Sequence, residues 1–130
     1  MQSASGTFEV KTIPQPAEEA AGGEAIGRLL LDKQFSGDLE AKSVGTMLGA
    51  RSAVQGSAGY VAIEKLTGTL QGRTGSFLLQ HFGLMNRGAM EQRVEIIPDS
   101  GTEELTGIAG TMTIRIEGGG HHYQLDYDLG

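Results

Sequence analysis

The chain contains no cysteine and no tryptophan, and only three of its 130 residues are proline. Without cysteine there is no disulfide framework, no thiol nucleophile and no cysteine-held metal. Cations are scarce too: ten Lys and Arg stand singly against sixteen Asp and Glu, for a formal net charge of −6. A nucleic-acid partner is therefore excluded, because phosphate binding rests on clustered Lys and Arg. No apolar run approaches the roughly 18 residues of a membrane helix. The opening MQSASGTFEV has neither the basic nor the apolar stretch of a signal peptide. No membrane partner is expected, and a cytoplasmic protein is the plain reading. Aromatic content of 5% is thin for a carbohydrate or base-stacking surface. GxSxG, HExxH, GxGxxG and the P-loop are all missing, so no phosphate cradle and no cofactor is expected.

What the sequence has in excess is glycine, 21 residues, and these follow no triplet period. Glycines spread between alternating runs point to turns, bulges and bends in a β protein. Alternation of apolar and polar residues recurs almost throughout. It is visible around Phe8 and Val10, from Ile26 to Phe35, and along DLEAKSVGTML, GYVAIEKLTGTLQG and GSFLLQHFGLM. EQRVEII follows and stops at Pro98, and TMTIRIE and HHYQLDYDL close the chain. The segment Gly72-Arg73-Thr74-Gly75 reads as a four-residue hairpin turn. Pro14 to Ala25 reads as a surface connection with at most a turn or two of helix, and Thr102 as the cap of one short helical turn.

A chain of this length supports one core, so residues 1–130 are expected to form a single domain. About eight successive antiparallel strands leave a sandwich or a closed barrel. Midstrand glycines at Gly45, Gly68 and Gly83 favour strongly coiled strands, hence an all-β eight-stranded antiparallel barrel with minimal helix.

Side chains two apart share a face. Tyr123, Leu125 and Tyr127 must face the core in the last strand, and parity carries His121 in with them. Met112, Ile114 and Ile116 form the inward set of the strand before it. Tyr60, Ala62, Glu64 and Leu66 are assigned inward, with Phe77, Leu79 and His81 on the next strand. Val61, Ile63, Leu78, Phe82 and Leu84 then lie outside, an apolar patch that calls for a second copy of the chain, as dimer or trimer.

On this assignment Glu64 and His81 fall within a residue or two of facing each other, a candidate acid–base pair. They equally satisfy each other in a packed lumen, since small barrels are commonly filled by side chains. Tyr60, Phe77, Leu79, Met112, His121, Tyr123 and Tyr127 are the candidate ligand-lining set. The neighbours His121 and His122 point to opposite faces of a strand, so they do not chelate one ion together, and no metal is expected.

The segments LDKQFSGDLEAKSVGTML, VQGSAGYVAIEKLTGTLQGRTGSFLLQHFGLMNRG and IIPDSGTEELTGIAGTMTI resemble a bacterial family of unknown function with a barrel similar to allene oxide cyclase. The resemblance spans nearly the whole chain. It implies an eight-stranded barrel whose more distant relatives oligomerise and mould apolar substrates in the cavity. Three functions stay open: a barrel that binds a small apolar molecule, a cofactor-independent isomerase or cyclase, and a purely structural or interaction module.

Overall fold

The computed structural model describes residues 1–130 as one closed antiparallel barrel. Its strands are β1 (Gln2–Pro14), β2 (Gly27–Gly37), β3 (Leu39–Arg51), β4 (Ala58–Leu70), β5 (Arg73–Asn86), β6 (Ala89–Ile96), β7 (Ala109–Glu117) and β8 (Gly120–Asp128). Each strand pairs with the next, and β8 closes on β1 from Gln2↔Tyr127 to Phe8↔His121. Closure covers the sheet edges everywhere except along one seam. The seam between β6 and β7 is the thinnest, held by a single pairing at Glu95↔Thr111. Helix is limited to three short 3₁₀ turns, Glu19–Ala21, Gly23–Ala25 and Glu103–Leu105, and none is long and apolar enough to cross a membrane.

Several local expectations need correction. β1 begins at Gln2, ahead of the alternation around Phe8. The β4–β5 turn is the two-residue pair Gln71-Gly72, both at positive φ, so Thr74 and Gly75 already belong to the ladder opposite Thr69 and Gly68. Gly75 serves packing instead of turning: a Cβ there would press within 3.3 Å of the Leu105 side chain. Thr102 stands at the N-cap of its 3₁₀ turn as expected, but its hydroxyl makes no capping bond; it takes the Ser76 N–H at 3.0 Å and bonds the Ser76 hydroxyl at 2.7 Å. That tie fastens the segment after β6 across one end of the barrel, where Leu105 and Ile108 are buried as a plug. Ile116 has inward parity but is 74% exposed, because β7 runs past the filled part of the lumen.

The lumen is unequal along its length. At the plugged end Leu39, Leu70, Phe77, Leu79, Met112, Tyr123, Leu125 and Tyr127 belong to one continuous apolar cluster with Leu105 and Ile108. Phe8 packs tilted on Phe35, and Phe35 meets Tyr123 edge to face, with centroids 5.0 and 5.5 Å apart. The opposite end is open. There Leu29, Met47, Tyr60, Met85 and Met90 surround a cavity of about 580 Å³.

Candidate functional site

Where the filled half meets the open half, four polar side chains converge inside the wall. Lys33 (β2), Ser43 (β3), Glu64 (β4) and His81 (β5) are all buried, at 7%, 1%, 1% and 4% exposure. The register explains how they meet. Lys33 pairs directly with Ser43, Glu64 lies two residues beyond the partner of Ser43, and His81 two residues beyond the partner of Glu64. The steps from Ser43 to Glu64 and from Glu64 to His81 each move toward the open end, following the stagger that barrel closure imposes. Opposite Glu64 stands Gly45, where a Cβ would come within 2.7 Å of the Glu64 Cβ. Glycine there gives the carboxylate its room.

Glu64 is the hub. Its Oε2 accepts from Lys33 Nζ at 2.7 Å and from His81 Nε2 at 2.5 Å, and its Oε1 accepts from the Ser43 hydroxyl at 2.6 Å. Burial pushes the carboxyl up, but the His81 hydrogen bond, the Lys33 charge and the His81 charge together outweigh it and hold Glu64 at about 2. Glu64 is therefore ionised and acts only as an acceptor, so His81 carries its proton on Nε2. Lys33 and Glu64 cancel in charge. The Lys33 ammonium also lies 4.9 Å from the centre of the Phe8 ring, a cation–π contact on its other side.

The remaining ring nitrogen of His81 is different. Nδ1 makes no hydrogen bond, whereas every sealed-in side-chain nitrogen or oxygen has a partner, so Nδ1 borders open space. Toward the plugged end its neighbours are the close-packed Leu79, Phe77 and Val94. Toward the open end the next inward positions on β3, β4 and β5 are Gly45, Ala62 and Gly83, and Gly83 already lines the cavity. His81 itself is not among the residues that line the cavity; it lies one inward position below Gly83, which is. Tyr60 lies flat against this wall: a Cβ on Gly83 would come within 2.7 Å of its ring, and its hydroxyl accepts from Gln92 at 2.7 Å.

The candidate residues divide between the two halves. Glu64 and His81 are in contact, and Tyr60 lines the cavity just above them. Phe77, Leu79, Met112, Tyr123 and Tyr127 sit in the filled half, away from the cavity. The Tyr123 hydroxyl donates to the Ser36 carbonyl at 3.0 Å and accepts the Leu39 N–H at 2.9 Å, which ties β8 to the β2–β3 turn. Burial raises it above the usual tyrosine range. Tyr127 bonds Gln2 and Gln71. His121 stacks on Phe8 with centroids 4.9 Å apart and has no contact with His81 or Glu64. Lys33 was not singled out from the sequence, although its parity with Leu31 and Phe35 in LLLDKQF places it inward.

Fold and site together define a class: an eight-stranded antiparallel barrel, plugged at one end, with a buried charged cluster beneath an open mouth. The chain belongs to the DUF3224 family, described as a protein of unknown function, whose model matches residues 4–127. A crystal structure of a DUF3224 protein of unknown function from Shewanella oneidensis MR-1 is similar at 50% identity, with a TM-score of 0.93, covering 100% of this chain and 98% of that one. Among curated proteins none matches.

Proposed function

We propose that the barrel holds a small, mostly apolar molecule in its open half. The observation that carries this reading is the cavity itself. Its volume of about 580 Å³ falls within the roughly 300–1,000 Å³ of small-molecule sites. Leu29, Met47, Met85 and Met90 supply an apolar lining, and methionine adapts to irregular shapes. The polar side chains of the lining are few: Tyr60 at the wall, with Glu24 and Arg51.

The test is saturable binding of the neutral fluorescent probe N-phenyl-1-naphthylamine, compared between wild type and Gly49→Leu. Gly49 lines the cavity, has ordinary φ, and a Cβ there meets nothing closer than 3.6 Å, so leucine fills the space without forcing the fold. One site per chain, lost in the variant at unchanged melting temperature, supports the reading. Equal binding by both proteins overturns it, because the probe is then on the outer wall.

That outer wall supports a second proposal, that the protein pairs with copies of itself. Leu48, Val61 and Phe82 sit side by side across β3, β4 and β5, with Val44, Ile63 and Leu84 around them. Val44, Val61, Ile63 and Leu84 are each close to half exposed or more. A contiguous apolar stripe of this kind on a sheet marks a contact surface.

A further inference from the structure

We propose that the occupant of the open half is a short extended peptide, laid as an added strand along the mouth-side edge of β6 with apolar side chains in the cavity. The inference rests on the cavity reading above and gives the occupant a backbone.

β6 and β7 run antiparallel, yet they pair only at Glu95↔Thr111. Continuing that register toward the mouth sets Gln92 opposite Ile114 and Met90 opposite Ile116, and neither couple is paired. The wall carries a notch there. Two hairpins fix where the free backbone groups point. Arg87-Gly88 and Gly118-Gly119 are two-residue turns with positive φ at both positions, closed by the pairs Asn86↔Ala89 and Glu117↔Gly120. Such turns close on a hydrogen-bonded pair, and bonded pairs alternate along the ladder. Ala89, Glu91, Arg93 and Glu95 therefore bond back to β5. Ile97 continues the series, giving its N–H to the Leu78 carbonyl at 2.9 Å. Met90 and Gln92 turn their N–H and C=O into the notch, where no strand receives them. Burial agrees, since β6 is exposed from Ala89 to Arg93 and its inward positions are covered only from Val94.

An unpaired row of backbone donors and acceptors is a template for one more strand. Pairing also sets the side chains of that strand. Residues that exchange bonds with Met90 and Gln92 share their inward direction, and Met90 lines the cavity. The pattern required is apolar, any residue, apolar. The edge of β7 is the poorer template, because Ile116 is 74% exposed and stands outside the cavity lining. A second copy does not fit, because its strands belong to a barrel wall and the notch is bounded by β7; a free chain enters. Glu24 and Arg51 line the cavity with opposite signs and neither forms an ion pair, so an occupant without net charge suits them.

The experiment uses the intact protein, bound N-phenyl-1-naphthylamine and the neutral peptide acetyl-Leu-Thr-Leu-amide, with amide hydrogen exchange read by nitrogen-15 spectra. In the free protein the Met90 and Gln92 amides exchange at least about tenfold faster than those of Glu91 and Arg93, as unbonded edge groups do. The peptide displaces the probe and slows Met90 and Gln92 to the rate of their neighbours. Methylating both leucine nitrogens keeps the side chains but removes the N–H groups that face β6. That peptide binds at least about tenfold more weakly, the ratio expected for two neutral hydrogen bonds. Methylating only the threonine nitrogen, which points away from β6, leaves binding in place; equal loss there assigns the effect to bulk and counts against the proposal. Met90 and Gln92 amides as slow as their neighbours in the free protein overturn it, because the edge is then already closed. Equal displacement by the parent and the doubly methylated peptide, with both amides unmoved, overturns it and leaves the apolar-cavity reading standing. Failure of the parent peptide to displace a probe that Gly49→Leu excludes overturns it as well.

Discussion

Replacing Lys33 by methionine removes the one buried cation of the cluster while keeping the length of its side chain. Lys33 is 7% exposed and its Nζ is 2.7 Å from Glu64 Oε2. Without it, the ionised carboxylate retains only Ser43 and His81 as donors and has lost its balancing charge. Breaking a buried pair in this way costs about 3–5 kcal/mol, because the surviving charge is left without compensation. For a domain of this size that corresponds to a fall in melting temperature of roughly 10–20 °C. Urea unfolding followed by far-ultraviolet circular dichroism, with Tyr fluorescence as a second probe, measures the change. The denaturant slope stays constant if the fold is intact.

The companion is the quadruple variant Lys33→Met, Ser43→Ala, Glu64→Leu and His81→Phe, which removes the cluster whole. Apolar replacement of a buried ion network is often neutral or stabilising, so the quadruple variant recovers most of what the single one loses. A Lys33→Met protein within about 0.5 kcal/mol of wild type, the range of inert surface changes, refutes the claim that charge balance governs this cluster.

Three further outcomes follow from the geometry. Glu64 stands at about 2 in the fold against an ordinary 4.5, a gap worth about 3 kcal/mol at about 1.4 kcal/mol per pH unit. The folded value is depressed, so this stability is fully present above about pH 5 and lost as pH falls through 2. Wild type therefore loses stability faster than Glu64→Gln over that window, and parallel curves count against it. Gly45→Ala puts a methyl 2.7 Å from the Glu64 Cβ and close against backbone, so it destabilises by several kcal/mol where exposed Gly→Ala changes are mild; an unchanged melting temperature contradicts the packing described. Phe82→Glu places a charge in the outer apolar stripe and converts an oligomer to monomers in sedimentation analysis. A wild type that sediments as a monomer at every concentration removes the premise.

Alternation was enough to reveal the barrel, because a strand that faces a core on one side repeats every two residues whatever its neighbours are. It placed Glu64 and His81 together for the same reason, with the short β4–β5 connection setting their separation. It said nothing of depth. Tyr60 and Tyr123 both face inward, yet one lines the open cavity and the other braces the plugged half. Depth is set by the stagger between strands, which no single strand encodes. Lys33 was hidden by the run Leu29-Leu30-Leu31, which is apolar on both faces and blurs the period just before the lysine. Leu30 proves to be 40% exposed and belongs to the outer wall. The β4–β5 turn misled because Gly72 and Gly75 both look like turn glycines, whereas Gln71 takes the left-handed position at φ 46° and Gly75 is needed for close packing.

The remaining question is why this barrel buries ions at all. Stability offers no reason, since well-packed apolar residues would serve at least as well as a lysine, a glutamate and a histidine. The position is telling: the four buried residues lie between the apolar cluster of Phe35, Phe77 and Leu125 and the cavity, whose lining begins at Gly83, one inward position beyond His81. The quadruple apolar variant separates a cluster that serves only the fold from one that serves the cavity. If the cluster serves only the fold, that protein binds N-phenyl-1-naphthylamine as tightly as wild type. If the cluster serves the cavity, it is stable and its affinity for the probe has changed.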